Sequence, residues 1–462
     1  MLALIRIFFW VTVAAAAFHA AYASAGTSPL IVLYLFALLR LAQTDRGRRA
    51  FYAGLAVGCL IAVVRLEFFW RIFRGGAVTL WLVYACWIGL FVALTRLCLA
   101  RFGPKWGWVF VPFVWTGLEY FRSELYYLRF SWLNVGYAFA GSPWQGALKL
   151  AGTYGVGFLL MGVAATAAYL WQKSRIRGLA LLCLMVGGLC LGRLPGDKAS
   201  SAPPAATVHV AGVQMEFPTE SEVLLRLNDI TRLYPDTELV VLSEYTLDGP
   251  VPDKVRAWCR DNGRYLIVGG KDPAPGARFY NTAYVVAPSG DIVFRQVKAV
   301  PIQFFKDGLP APEQKLWDSP WGKIGICICY DLSYTRVVDR LVELGAAALV
   351  VPTMDVLDWG QTQHELHARI APVRATEYGL PLFRVASSGI SQLVDRAGRV
   401  TATAPCPGDA ATIAGTVEMR GPGRCPPDRW LAPFATGLTA ALIAWFAIRR
   451  GLGKTPLAGG RV

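Results

Sequence analysis

Eight stretches of this sequence, each of roughly 17 to 25 mostly apolar residues, can cross the roughly 30 Å hydrocarbon layer of a bilayer as helices. They fall near 3–23, 27–43, 51–70, 77–97, 106–121, 147–171, 178–194 and 430–448, separated by short stretches carrying Arg, Lys, Gly or Pro. No soluble fold of this length has room to bury so many such runs. With 55% hydrophobic and 17% charged residues and a mean hydropathy of +0.41, composition excludes a disordered chain or a collagen-like fibre. Ten cysteines in 462 residues are too few for a disulfide scaffold. Cys59, Cys86, Cys98, Cys183 and Cys190 lie inside apolar runs, where they read as small hydrophobes. The first run ends in A-A-Y-A-S-A, which looks cleavable, but in a chain with many spans it reads as a retained first helix.

Short loops rich in Lys and Arg resist translocation, so their distribution sets orientation. Arg40, Arg46, Arg48 and Arg49 follow the second run; Arg96, Arg101 and Lys105 follow the fourth; Lys173, Arg175 and Arg177 follow the sixth; Arg449, Arg450 and Lys454 follow the eighth. These loops are expected to be cytoplasmic, which puts residues 200–429 on the outer face. The net charge of +15 therefore reads as topology signal and not as a nucleic-acid surface. The expected division is a helical bundle over 1–199, a globular outer domain over 205–425, a closing helix over 430–449 and a basic tail over 450–462. The outer stretch opens with the linker A-S-S-A-P-P-A-A-T. It then alternates strand-like runs (V-H-V-A-G-V-Q, E-L-V-V-L-S-E, Y-L-I-V-G-G, K-I-G-I-C-I-C-Y, A-A-L-V-V-P-T) with amphipathic segments, the pattern of an α/β domain.

Several of these apolar runs end in groups that can do chemistry. V-V-L-S-E-Y ends at Glu244, V-F-R-Q-V-K-A-V-P carries Lys298, and G-I-C-I-C-Y-D carries Cys327, Cys329 and Asp331. Each alone reads as a loop carboxylate, a surface lysine or a core thiol. Together they supply what a thiol nucleophile needs, a carboxylate to take its proton and a cation to support the anion.

The order Glu, Lys, Cys, with G-I-C-I-C-Y-D and the later H-x-x-x-A-R-x-x-P-V-R-A-x-E-x-G-x-P, resembles the nitrilase (carbon–nitrogen hydrolase) superfamily over about 208–418. The resemblance implies an α-β-β-α sandwich in which Cys329 is the nucleophile, Glu244 the general base and Lys298 the supporting cation. It also implies an oxyanion donor in the backbone N–H of Tyr330, with Asp331 in a supporting role and Asn281 of F-Y-N-T-A orienting the site. Cys327 is expected on the same strand face, as core. The segment G-L-E-Y-F-R-S-E-L-Y-Y-L-R-F-S-W-L-N-V-G-Y, continued by G-T-Y-G-V-G-F-L-L, resembles the membrane signature of bacterial apolipoprotein N-acyltransferases, with Trp132, Gly136, Tyr137 and Gly155 at its marked positions. That resemblance covers nearly the whole chain. It implies transfer of a fatty acyl group from a membrane phospholipid, through a cysteine thioester, to the α-amine of an S-diacylglyceryl-cysteine apolipoprotein. The enzyme would be a monomer of the bacterial inner membrane, with its domain in the periplasm and no metal or other cofactor. His364 and His367 lack a third ligand at metal-binding spacing.

The sequence departs from that family after Lys298, where V-P-I-Q-F-F-K-D-G-L-P puts Phe304 at the place of an assisting Glu and the arm before Cys329 is short. Glu313 is expected to supply the missing carboxylate. Ile302, Phe304 and Phe305 offer an apolar tip for lipid, and Trp359 is expected beside it. P-T-M-D at Asp355 and Ser387-Ser388-Gly389 also differ from the usual residues. Cys406 and Cys425 are candidates for a disulfide on the outer face. The short arm keeps a membrane-anchored nitrilase-type amidase as an alternative activity, and a catalytically silent assembly protein is disfavoured by the intact Glu, Lys and Cys.

Overall fold

A computed structural model describes residues 2–192, 203–405 and 410–452. Cys406, most of the linker and the tail from 453 lie outside the described residues. The first part is helical: α1 (Leu2–Ala23), α2 (Ile31–Ala42) entered through the tight turn Ala25–Leu30, α3 (Gly47–Arg65), α4 (Phe68–Phe73), α5 (Gly76–Tyr120), α6 (Ala147–Lys173) and α7 (Arg175–Leu191). Among the described residues, six helical stretches are long and apolar enough to cross a membrane. The fourth and fifth apolar runs are merged in α5, whose backbone breaks at Gly103 with φ +74. Only glycine adopts that conformation without strain. The Phe102 and Phe110 rings lie 4.8 Å apart, a contact impossible along a straight helix, so α5 is a hairpin of two arms, 76–102 and 104–120. The third run ends at Arg65, sooner than its apolar stretch predicts, and its last residues form the separate short α4.

The second part carries α8 (Glu220–Leu233), α9 (Asp253–Asn262), α10 (Thr335–Glu343), α11 (Gln361–Ala368) and α12 (Ile370–Tyr378), before α13 (Asp428–Leu452) returns to the bundle. Its strands are β1 (Ala206–Val213), β2 (Leu239–Leu242), β3 (Tyr265–Ala274), β4 (Arg278–Val286), β5 (Ile292–Val297), β6 (Leu316–Ser319), β7 (Gly322–Ile326), β8 (Ala348–Thr353), β9 (Leu382–Ala386), β10 (Ser391–Val394), β11 (Val400–Ala404) and β12 (Thr412–Met419). They form two six-stranded sheets, β12-β1-β2-β3-β4-β5 and β11-β10-β9-β8-β7-β6. The centre of each is parallel, β1-β2-β3 and β7-β8-β9. Strand alternation assigns the two faces. Leu239, Val241, Ile267, Ala283 and Val285 pack between the sheets, while Val240, Leu242, Leu266, Tyr284 and Val286 pack outward with α8 and α9. The result is an α-β-β-α sandwich joined to a helical bundle.

Buried carboxylates fasten the sandwich to the bundle. Glu124, just after α5, accepts from Thr335 N at 3.0 Å, Thr335 Oγ1 at 3.0 Å and Tyr154 OH at 3.0 Å. Glu377 of α12 accepts from Thr153 N of α6 at 2.8 Å and pairs with Arg374 and with Arg429 of α13. Asp428 accepts from Tyr154 N at 2.9 Å. Burial alone would raise the Glu377 carboxyl, but Arg429 and Arg374 hold it below the usual 4.5. Its contribution to stability is therefore full above the unfolded value and lost as the pH falls toward the folded one. Glu377→Gln is expected to cost about 3–5 kcal/mol, because it leaves the buried Arg374 guanidinium without a carboxylate, whereas Arg429 keeps Asp339 and Asp428. A lowered unfolding temperature in detergent at neutral pH, with a smaller further loss on acidification than in the wild type, checks this.

Candidate active site at the seam

Three loops at strand ends converge where the sandwich meets the bundle. Glu244 follows β2, Lys298 follows β5 and Cys329 follows β7. The Lys298 side chain is 1% exposed and its Nζ lies 2.8 Å from Glu244 Oε1 and 2.7 Å from Asp307 Oδ2. Asn281 Nδ2 donates to Glu244 Oε1 at 2.6 Å and to Asp307 Oδ1 at 2.9 Å. Met354 N donates to Glu244 Oε2 at 2.8 Å, and Cys329 Sγ faces Met354 O at 3.6 Å.

The sequence-predicted Glu244, Lys298, Cys329 and Asn281 are thus brought together, but Glu313 is not. Glu313 is exposed and pairs with Lys315 at 2.6 Å. The second carboxylate on Lys298 is Asp307, which was missed. The arm after Lys298 coils back, with Asp307 Oδ2 accepting Ile302 N at 2.8 Å and Oδ1 accepting Tyr245 OH at 2.8 Å. The signal available in the sequence was Asp307-Gly308: glycine at φ +83 turns the chain beside Asn281, where a Cβ would lie 2.8 Å from a backbone nitrogen. The expected strand through Cys327 and Cys329 also needs correction. Strand β7 ends at Ile326, Cys327 is core, and Cys329 adopts φ +53 at the head of a tight turn. Strand alternation therefore does not relate the two thiols. Asp331 holds that turn by accepting from Ala299 N, Val300 N and Ile328 N at 3.0, 2.7 and 3.2 Å, which ties the lysine loop to the cysteine loop.

Cys329 opens into an apolar cavity walled by Phe69 and Phe73 of α4, Trp87 of α5, Phe130 and Trp132, with Ile302, Phe304, Phe305 and Trp359 on its outer side. Phe305 contacts both Phe73 (5.8 Å between centroids) and Trp359 (5.9 Å), so the arm rests on the bundle. Tyr330 OH donates to Arg129 O at 3.0 Å, and Trp132 Nε1 to Ser333 Oγ at 2.9 Å. A loop of the bundle therefore grips the turn that presents the thiol. Asp355 anchors a second buried group: it accepts from Gln363 at 3.0 Å and contacts His367 Nδ1 at 2.7 Å, with Arg384 beside both. His367 is stacked under Trp132 at 4.7 Å. His364 is buried near this group without a side-chain hydrogen bond to it, both ring nitrogens being unpartnered. Cys425 is exposed.

Electrostatics set the resting protonation. Burial pushes Glu244 up, Lys298 opposes this and Asp307 adds to it; the net shift is upward. Burial would lower Lys298, but Asp307 and Glu244 outweigh it and hold the ammonium charged. Burial pushes the Cys329 thiol up and Glu244 pushes it further, against the pull of Lys298. At rest the cluster is a neutral thiol beside a carboxylate of enhanced basicity, suited to passing a proton from sulfur to Glu244 as the sulfur attacks an electrophile. Alkylation of Cys329 by iodoacetamide, followed by intact mass, is expected to titrate above the ordinary thiol value of 9.0. Its midpoint should move to lower pH in Glu244→Gln, where the negative neighbour is gone.

Two family models match the chain: the apolipoprotein N-acyltransferase N-terminal domain over residues 14–166 and carbon-nitrogen hydrolase over residues 229–418. An apolipoprotein N-acyltransferase of Shewanella oneidensis is 24% identical over 87% of this chain and 82% of its own length. One of Geobacter metallireducens is 22% identical over 93% of each. A solved nitrilase-superfamily structure from Saccharomyces cerevisiae covers 48% of this chain and 93% of its own, at 19% identity and a TM-score of 0.40. With the first model matched on the helical bundle, the second on the sandwich, and these relatives aligned along most of their own length, the chain belongs to the apolipoprotein N-acyltransferase family, within the nitrilase superfamily.

Proposed function

We propose that this chain transfers a fatty acyl group from a membrane phospholipid to the α-amine of an S-diacylglyceryl-cysteine at the start of an apolipoprotein, with Cys329 as nucleophile, Glu244 as base and Lys298 as supporting cation. The observation that carries the reading is the position of Cys329. It is buried beside a base and opens into an apolar cavity whose walls come from the bilayer-length α5, the short α4 and the loop at Phe130 and Trp132, and from an aromatic arm. A water-soluble amide has no use for such walls. Phospholipid acyl chains do, since their burial there keeps them out of water. The amidase alternative is not favoured, because the relatives matched along the whole chain are N-acyltransferases.

The first step forms a bond from Cys329 sulfur to the ester carbon while Glu244 takes the thiol proton. Lys298 supports the negative charge that develops on the carbonyl oxygen, with the Tyr330 N–H as a second donor. Collapse breaks the ester C–O bond, Glu244 returns the proton to the leaving alkoxide, and a lysophospholipid departs from the thioester. In the second step the acceptor amine attacks the same carbon, its proton passes to Glu244, and the amide leaves as the thiol is restored. Asp307 and Asn281 hold the carboxylate and ammonium in register through both steps. One chain supplies all these groups, so the reading needs no second copy. The Lys and Arg distribution supports an orientation with the site on the outer face of the inner membrane.

Incubation of the detergent-solubilised protein with phosphatidylethanolamine should add one fatty acyl mass to Cys329, and a diacylglyceryl-cysteine peptide should remove it as N-acyl peptide. Cys329→Ser should form no discharging thioester. Absence of the adduct with lipid bound would overturn the reading. In the same assay Asp307→Asn is expected to slow acyl-enzyme formation by about 10- to 100-fold, the range for losing a charge-assisted bond in a buried site. An unchanged rate would remove Asp307 from the machinery.

A further inference from the structure

Two arginines line the same cavity as Cys329, and the mechanism above uses neither. Arg122 is 5% exposed. Its Nη2 donates to Asn134 Oδ1 at 2.6 Å and its guanidinium lies 4.9 Å over the Tyr84 ring, but Nη1 is buried without a partner. Arg129 stands 5.3 Å over the Tyr334 ring, and its Nε is likewise buried without a partner. Neither forms an ion pair among the described residues. Glu119, one turn before Arg122, accepts from Val135 N with Oε1 at 3.0 Å; its Oε2 has no hydrogen-bond partner and makes no ion pair with Arg122, although the two charges are near enough to attract. Arg129 is coupled to the nucleophile through the backbone, since its carbonyl oxygen accepts the hydroxyl of Tyr330, the residue after Cys329.

Guanidiniums in an apolar cavity are costly unless an anion meets them. The planar fork suits two oxygens of a phosphate better than one. The remaining wall is aromatic and aliphatic, which suits hydrocarbon chains. A phospholipid carries both features in one molecule, with the ester between the phosphate and the chain. On the acyl-donor reading above, we propose that Arg122 and Arg129 form the anion subsite that holds the donor's phosphodiester, so that its ester lies against Cys329 and its chains lie along the aromatic wall.

The test uses full-length protein carrying Cys329→Ser, so that no acyl group is transferred, and native mass spectrometry from detergent micelles. The probes are phosphatidylethanolamine and a diacylglycerol of the same chains, which lacks the phosphate. Arg122→Gln and Arg129→Gln should each lower bound phosphatidylethanolamine by about 10-fold or more, as expected for losing a charge-assisted bond, with diacylglycerol binding unchanged. Arg122→Gln can also disturb Asn134, so Arg129→Gln, which loses no side-chain hydrogen bond, is decisive. Equal loss of both lipids in Arg129→Gln, or loss of neither, overturns the subsite. Displacement of the phospholipid by millimolar inorganic phosphate overturns it in favour of a free-anion site. If phosphatidylethanolamine binds through these arginines yet the protein with Cys329 intact forms no thioester, the transfer reading fails while the subsite stands.

Discussion

The buried ammonium of Lys298 constrains everything around it. A charge taken so far from water is tolerated only when opposite charge surrounds it, and here it is met by Glu244 on one side and Asp307 on the other. Those two carboxylates come from different parts of the chain, the end of β2 and the arm after β5, so satisfying Lys298 folds the arm. Two negative groups around one positive leave the cluster with a negative surplus. Burial first, and the Glu244 carboxylate second, keep the thiol protonated at rest, and burial with the Asp307 charge raises the proton affinity of Glu244. The site is therefore not a pre-formed thiolate. On the proposed mechanism it becomes nucleophilic when an electrophile is in place to receive the sulfur, which would keep the cavity from reacting with whatever enters it.

The same logic of buried charge positions the site relative to the membrane. Glu124 and Glu377 are buried and each accepts a backbone N–H across the seam, while the buried Asp428 at the head of α13 accepts one from α6 beside them. Such bonds are directional and costly to break, so they dock the sandwich in one orientation where a covalent linker alone would leave it free. With the docking fixed, the loop after α5 lies on Tyr330 and α4 faces the arm. The cavity then has one wall from each part of the molecule, and neither part alone would enclose it.

Much of this was legible in the sequence, for identifiable physical reasons. Long apolar runs and strand-like runs announce themselves through burial, and Glu244, Lys298 and Cys329 sit at the ends of such runs, where a strand delivers its next residue to the edge of the sheet. What was not legible depends on backbone turns that composition does not encode. The fourth and fifth apolar runs read as two spans, but only the break at Gly103 shows that they fold as arms of one hairpin. Cys327 and Cys329 read as a pair on one face because the apolar pattern continues past Ile326, where the strand stops. Glu313 was expected at the site because carboxylates are easily counted in a sequence, whereas the reach of each one depends on how the arm coils. The cavity beside Arg122 and Arg129 exists only once the two parts are docked.

That coil accounts for the carboxylate expected at the place of Phe304 being supplied from elsewhere in the arm. A carboxylate is still required, since Lys298 with Glu244 alone would leave one side of the ammonium against apolar wall. Asp307 meets the requirement from three residues further on because Phe304 takes φ +71 and Gly308 φ +83, turning the arm twice within five residues and bringing a short side chain inward. An aspartate reaches less far than a glutamate, so its backbone must come closer to Lys298, and the bond from Ile302 N to Asp307 records that approach. The consequence lies on the other face of the same turn. With the acidic role moved inward, position 304 is released to carry an aromatic ring, and Phe304 lies 5.9 Å from Phe73 on the bundle. A short arm thereby keeps the charge balance of the site and adds apolar surface at the mouth of the cavity, where a lipid chain would enter.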